Sequence, residues 1–308
     1  MNYKVLSIVS LVVLLMFACG RPQGRNAGNE SQAADGNRVV IQNKGSDTLV
    51  NVAQAWAETY PSVNDKVAVA VSGGGSGTGI AALLNGTVDI ANASRAIKDK
   101  EIAMAREKGI EPVQHIVGYD ALAVYMHKDN PIETLSLEQL AGIYGEGGSI
   151  ESWTDLGVEV PGCKGQELIR VSRQNNSGTY VYFREAVLGN ARDYKLGSLD
   201  MHGSKDVVDL VMNTPCSIGY SGLAYATDDL KTACISTNEG EPCVMPTVET
   251  ASNGSYPIAR PLFMYTNGEP TGEVKTYLDW ILSDAGQCIL LEKGYAPVRD
   301  CECPPKSE

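Results

Sequence analysis

The chain has 308 residues, a length that predicts a sizeable core and two lobes rather than one small domain. Hydrophobic residues make up 43% of the sequence and charged residues 20%, which excludes a largely disordered or collagen-like protein. The 37 acidic and 25 basic residues give a formal net charge of −12, and this balance argues against a nucleic-acid backbone as the partner.

The amino terminus predicts an export signal followed by a flexible tether. The apolar run at residues 5–18 is too short to span a bilayer and fits the core of a signal peptide. It ends at Ala18-Cys19 like a lipobox, where bacterial signal peptidase cuts before a cysteine that becomes lipidated. We therefore expect removal of residues 1–18, lipid on Cys19, and a polar tether at 19–37 that holds the folded part off a membrane. A plain signal peptide or an uncleaved anchor is the alternative.

Three times after the tether, a strand-like apolar run leads into a turn rich in Gly, Ser, Thr or Asn that opens a helix. The three turns are residues 43–48, 72–79 and 172–179. The first helix carries apolar residues at steps of three and four, with Asp47 or Thr48 as its N-cap. The strand before the second turn, 67–71, is continuously apolar, which predicts that both of its faces are covered.

These turns are candidate anion sites. A helix start has unpaired backbone N–H groups and a partial positive charge, and hydroxyl groups at the same positions add donors. Arg173, four residues before Ser177, adds a full charge and a two-pronged geometry that suits oxyanions. Capping alone would explain any one turn. The repetition, together with the arginine, favours an anion site.

Other kinds of site are disfavoured. Gly77, Gly79 and Ala82 match a relaxed dinucleotide fingerprint, but the Ser and Thr residues between the glycines suit a small anion better. The sequence has no nucleotide-phosphate loop and no nucleophile elbow, and its three His residues are scattered. We therefore expect no cofactor, no metal and no enzymatic activity.

The cysteines predict disulfides. Seven follow Cys19, and in an exported chain they are expected to pair with one left over. A zinc site is disfavoured because no Cys-x-x-Cys pair or nearby His completes a ligand set. The expected pairs, from strongest to weakest, are Cys234 with Cys243, Cys288 with Cys301 or Cys303, and Cys163 with Cys216.

Several segments, spread over nearly all of the chain after the tether, match one known family. They are residues 45–48, 75–79, 89–95, 128–131, 172–179, 217–220 and 260–262. At these segments the sequence resembles the phosphate-binding proteins of the Pst ATP-driven phosphate importer. The most specific of them is the Arg-x-x-x-Ser-Gly-Thr turn.

The resemblance implies an α/β protein with the two-lobed fold of type II periplasmic binding proteins, joined by two hinge crossings. The crossings should fall near residues 119–124 and 258–264. Lobe I would then comprise residues 38–120 and 258–308, and lobe II residues 121–257.

The resemblance also implies a phosphate site with donors from both lobes. Many members have an Asp, which accepts the proton of hydrogen phosphate, where this chain has Arg95. We expect Arg95 to contact the ligand or to pair with an acid such as Asp120. Asp47 is the candidate replacement acceptor, unless its side chain caps the helix. By position, the other contacts would be Thr48, the Leu49 amide, Ser76, Arg173, Ser177, Gly178 and Thr179.

The implied function is that of a monomeric, exported lipoprotein that captures inorganic phosphate and delivers it to the permease of an ABC importer. It would face the periplasm or the cell exterior, reach the membrane through its lipid anchor only, and bind no nucleic acid. One alternative is a binding protein for another oxyanion, such as sulfate or molybdate. The other is an exported phosphatase of similar fold, for which the sequence offers neither a nucleophile with a base in reach nor a pair of metals.

Overall fold

The structure is a computed structural model that describes residues 38–189 and 191–305. The predicted signal peptide, Cys19 and the whole of the predicted tether lie outside these residues. Within the described part of the chain, every helix is too short or too polar to span a membrane.

Helices and strands alternate along most of the chain. The strands are β1 (Val39–Gly45), β2 (Val67–Ser72), β3 (Ile90–Ala93), β4 (Pro112–His127), β5 (Thr134–Ser136), β6 (Ile169–Arg173), β7 (Leu199–Met201), β8 (Ser217–Gly222), β9 (Leu230–Thr232), β10 (Cys234–Ser236) and β11 (Ala259–Asn267). The α-helices are α1 (Val50–Thr59), α2 (Ser76–Leu84), α3 (Asp99–Glu107), α4 (Leu137–Tyr144), α5 (Gly178–Phe183), α6 (Ser204–Met212), α7 (Val248–Ser252), α8 (Gly272–Ile281) and α9 (Asp284–Glu292).

Nine of these strands form one mixed sheet. Its order is β2-β1-β3-β11-β4-β8-β6-β7, and β9 pairs with β4 beside this path. Strand β1 is parallel to both neighbours, as is β6, whereas β11 and β4 run antiparallel to the strands that flank them. In this element order, the three predicted strand-turn-helix units are β1–α1, β2–α2 and β6–α5.

Strand β4 connects two parts of the sheet. It pairs with β11 as far as Ala121 and with β8 from Leu122 onwards. This change of partners lies within residues 119–124, where a crossing is predicted. One apolar core, around Trp56 and Leu262, lies with β1 and β11, and another lies around Trp153 on the β8 side.

The expectation that strand 67–71 is covered on both faces is wrong. Strand β2 lies at the edge of the sheet with β1 as its neighbour, and Val67 is its one buried residue. A short apolar run is compatible with an edge strand as well as with a central one, because periodicity alone does not separate them.

The structure contains three disulfides among its described cysteines. They are Cys163–Cys216, Cys234–Cys243 and Cys288–Cys303. All three are among the pairings that the sequence predicts. Of the two partners predicted for Cys288, Cys301 and Cys303, the structure has Cys303. Cys301 is the unpaired cysteine of the described residues.

Candidate functional site

The starts of α1, α2 and α5 meet at one buried place. The Thr48 and Thr179 Oγ1 atoms lie 3.1 Å apart, although the two residues are 131 positions apart in the chain. Ser76, at the start of α2, accepts a hydrogen bond on Oγ from the Ser94 backbone N–H at 3.0 Å. Ser46 donates from Oγ to Ser94 Oγ at 2.9 Å. The fold therefore gathers hydroxyl groups from separate turns into one cluster.

Gly178 allows the start of α5 to approach this cluster. A Cβ atom at this position would lie 2.2 Å from Ser76 Oγ and 2.5 Å from Ser94 Oγ. Real Cβ atoms essentially never come so close to another heavy atom, so a side chain here would push α5 away from the two serines.

The turn before α2 also contacts the turn before α5. The backbone N–H of Gly77 donates to the Asn176 carbonyl at 3.0 Å, and Asn176 Nδ2 donates to the Gly74 carbonyl at 3.0 Å. Gly75 has φ +89° and would place a Cβ 2.7 Å from the Asn176 carbonyl oxygen, so glycine is required there for two reasons. These bonds align the two predicted anion turns with each other.

Arg173 brings a buried positive charge to the cluster. Its side chain is 1% exposed, and it donates to Asp47 Oδ2 at 3.2 Å, to Ser204 Oγ at 3.1 Å and to the His202 carbonyl at 2.8 Å. Its Nε has no partner among the described residues. Burial lowers the pKa of Arg173 and Asp47 opposes that shift, but a guanidinium stays charged in proteins. Arg173 therefore keeps two of its five N–H donors in reserve, one on Nε and one on Nη1.

The predicted N-cap of the first helix is wrong. Helix α1 begins at Val50 after Leu49, and no side chain caps it. Asp47 instead accepts the Gly74 N–H at 2.9 Å and the guanidinium of Arg173, so its carboxylate links two turns.

Two of the expected donors are bonded within their own turns. The Leu49 amide donates to the Ser46 carbonyl at 3.1 Å. Ser177 is the N-cap of α5 and accepts the Thr179 N–H on Oγ at 3.2 Å. Capping, the simpler interpretation of these residues, thus accounts for the Ser177 hydroxyl oxygen, while its hydroxyl hydrogen stays available to a ligand.

Arg95 does not pair with Asp120, and its guanidinium is directed to a different acid. Two of its nitrogens donate to the Glu101 carboxylate at 2.7 and 2.8 Å, and Nη1 also donates to the Ala96 carbonyl. Glu101 lies in the first turn of α3 and also accepts the Lys98 N–H, which is a favourable place for a carboxylate. Burial raises the pKa of Glu101, but the bonds from Arg95 and Lys98 outweigh it and the pKa is lowered.

Arg260 reaches the same cluster and was assigned no role from the sequence. It lies on β11 opposite Asp120 on β4, and both side chains are fully buried. Its guanidinium contacts the hydroxyl oxygens of Thr48 and Thr179. Burial raises the pKa of Asp120, and the charge of Arg260 opposes that rise. The sequence does contain a signal for this pair, because one Asp and one Arg each lie in an apolar strand and buried opposite charges are expected to pair.

Similarity to known proteins agrees with this arrangement. The family model for the PBP superfamily domain matches residues 27–285. The phosphate-binding protein PstS of Pseudomonas aeruginosa is 34% identical over 280 residues, which cover 87% of this chain and 86% of that one. The chain belongs to the PstS family of the PBP superfamily.

Solved structures of similar proteins have the same fold as this PstS family member. A substrate-binding protein of a phosphate ABC transporter from Clostridium perfringens, solved with bound phosphate, is 29% identical with a TM-score of 0.75 and covers 85% of this chain and 100% of its own. PstS from Borrelia burgdorferi is 26% identical with a TM-score of 0.56, over 85% and 99% of the two chains. The fold is therefore the two-lobed α/β fold of type II periplasmic binding proteins.

Proposed function

We propose that this protein captures inorganic phosphate outside the cytoplasm and delivers it to the permease of an ABC importer. The observation that carries the proposal is the convergence of three helix starts, with hydroxyl groups and Arg173, on one buried cluster. Such a cluster presents hydrogen-bond donors that already point toward the position where an oxyanion would bind. The names and bound phosphate of the similar proteins support phosphate as the anion.

The proposed donors come from both lobes. With lobe I at residues 38–120 and 258–308 and lobe II at 121–257, a phosphate would bridge the two and favour the closed arrangement. The permease would then read closure as the loaded state. The proposed contacts are Thr48 and Ser76 on lobe I, and Arg173, Ser177, Gly178 and Thr179 on lobe II. The Leu49 amide would join them on lobe I by exchanging its bond to the Ser46 carbonyl for one to the phosphate.

Arg95 leaves this proposed set, and Asp47 stays in it. Arg95 pairs its charge with the half-buried carboxylate of Glu101, so little of that charge remains for a ligand. Asp47 is 14% exposed and holds Arg173 at the edge of the cluster. Its carboxylate is the proposed acceptor for the proton of hydrogen phosphate, and an acceptor of that kind would repel a fully deprotonated sulfate.

The amino terminus completes the proposal. Residues 1–18 would direct export, Cys19 would carry the lipid, and the tether would leave a monomeric binding protein on the outer side of the membrane. Metabolic labelling with a radioactive fatty acid tests this part. Label should enter the intact protein and be absent from Cys19→Ser, and label in both would contradict it.

Isothermal titration calorimetry tests the ligand. We expect one phosphate to bind per chain with a free energy of about −8 kcal/mol or stronger, the value for a micromolar complex. Excess sulfate, at two pH values, should leave this binding unchanged. Retained sulfate binding without phosphate binding would support the other-oxyanion alternative instead. Metal-dependent turnover of an aryl phosphate by the same sample would support the phosphatase alternative.

A further inference from the structure

Every N–H donor of the Arg260 guanidinium is hydrogen-bonded. Nε and Nη2 donate to Asp120 Oδ2 at 3.0 and 2.7 Å. Nη1 donates to the Ser94 carbonyl at 3.3 Å and to Thr179 Oγ1 at 3.1 Å, and Nη2 also donates to Thr48 Oγ1 at 3.3 Å. An arginine has five N–H groups, and five contacts are present here. The guanidinium is therefore held by both crossing strands and by both threonines.

These contacts determine what the threonine hydroxyls can do. A guanidinium can only donate, so the Oγ1 atoms of Thr48 and Thr179 are acceptors toward Arg260. Each hydroxyl has one hydrogen left, and the two oxygens are 3.1 Å apart. One hydroxyl can donate to the other, but both cannot do so at once. One buried hydroxyl hydrogen thus lacks an acceptor among the described residues, and an anion beside both hydroxyls would accept from each.

We infer that Arg260 is a positioning residue that makes hydrogen-bond donors of Thr48 and Thr179, so that this corner of the site requires a ligand oxygen that accepts from both hydroxyls. The inference rests on the proposed function and deepens it. Asp120 balances the charge of Arg260, so the pair orients the hydroxyls without adding net charge. An unprotonated oxygen of hydrogen phosphate is thereby favoured in this corner over the protonated one, because it is the stronger acceptor.

Double-mutant cycles separate this role from a general structural one. Lysine at position 260 keeps a charge for Asp120 but lacks the planar fork that reaches both hydroxyls. We expect Arg260→Lys to weaken phosphate binding about tenfold or more when both threonines are present, and less than about threefold in the Thr179→Val background. A second cycle with Thr48→Val should show the same coupling.

Arg170 provides the matched control. It lies on β6 and pairs with Glu151 at 2.8 Å, away from the hydroxyl cluster. Arg170→Lys should have equal, small effects on phosphate binding with Thr or Val at position 179. An equal loss from Arg260→Lys in both backgrounds would overturn the inference alone. A lack of phosphate binding by the unmodified protein would overturn the proposed function and the inference with it.

A measurement on the unmodified protein covers the case in which Arg260→Lys does not fold. The Nε–H resonance of Arg260, assigned by NMR in ¹⁵N-labelled protein, should exchange slowly with water before any phosphate is added, because its donors are already bonded. Fast exchange that becomes slow only with phosphate would show that the ligand orders the guanidinium, and this result would overturn the inference.

Discussion

Arg173 and Arg260 are two buried arginines at one hydroxyl cluster, yet their surroundings differ. Arg173 has three protein partners, and its Nε is without a partner among the described residues. Arg260 has all five N–H groups bonded, and its partner Asp120 is fully buried. Donor capacity, rather than charge or burial, therefore separates these two arginines.

The largest expected effect is at the arginine with donor capacity in reserve. Arg173→Ala should weaken phosphate binding about 100-fold or more, because it removes the ligand's charged partner and leaves the Asp47 carboxylate unpaired. Calorimetry measures the change, with Arg170→Ala on the same strand as the control. Affinity within twofold of the unmodified protein would show that the proposed site is misplaced.

The next prediction concerns how closely the helix start must approach. Gly178→Ala should weaken phosphate binding about tenfold, because the added methyl group overlaps the hydrogen-bonded oxygens of Ser76 and Ser94. In Gly142→Ala, the new Cβ would meet the Ile150 side chain, with Cδ1 nearest at 2.9 Å, and not the hydroxyl cluster, so phosphate affinity should be unchanged. Similar losses in both variants would point to a global change rather than one at the site.

A third arginine extends the comparison to pH dependence. The pKa of Glu101 is lower in the folded protein than its unfolded value of 4.5. The ion pair with Arg95 therefore stabilises the fold fully above pH 4.5, and this stabilisation is lost as the pH falls through the folded pKa. Glu101→Gln should therefore lower the free energy of unfolding by roughly 1–2 kcal/mol at pH 7. In denaturant titrations, its stability curve should converge with that of the unmodified protein below pH 4.5. A constant difference in acid would exclude the carboxylate charge as the cause.

The smallest effect is expected for ligand binding by an Arg95 variant. Arg95→Gln should reduce stability, since Glu101 loses its partner, but phosphate affinity should change by less than about threefold because the guanidinium is already engaged. Calorimetry and denaturant titration on one sample separate the two effects. A loss as large as that of Arg173→Ala would restore Arg95 to the ligand contacts.

The local sequence pattern predicted the individual strands, turns and helices of this fold well, but it did not predict which elements or side chains contact each other. The three strand-turn-helix units appear as β1–α1, β2–α2 and β6–α5, because strand runs, glycine turns and helical periodicity are local properties. The edge position of β2 and the partner of Arg95 depend on residues distant in sequence or on another element, so no local signal distinguishes the alternatives.

The amino-acid sequence by itself determined the type of donors in this protein, namely helix starts rich in hydroxyl groups with an arginine on the third. Only the tertiary structure decided which donors are free and which are already used, because a hydrogen-bonding group has a fixed number of hydrogens and lone pairs. Thr48 and Thr179 become neighbours through folding, and Arg260 meets both from a strand that pairs with β4. The pairing of β11 with β4 joins segments far apart in the chain, so the local composition and residue spacing do not predict it.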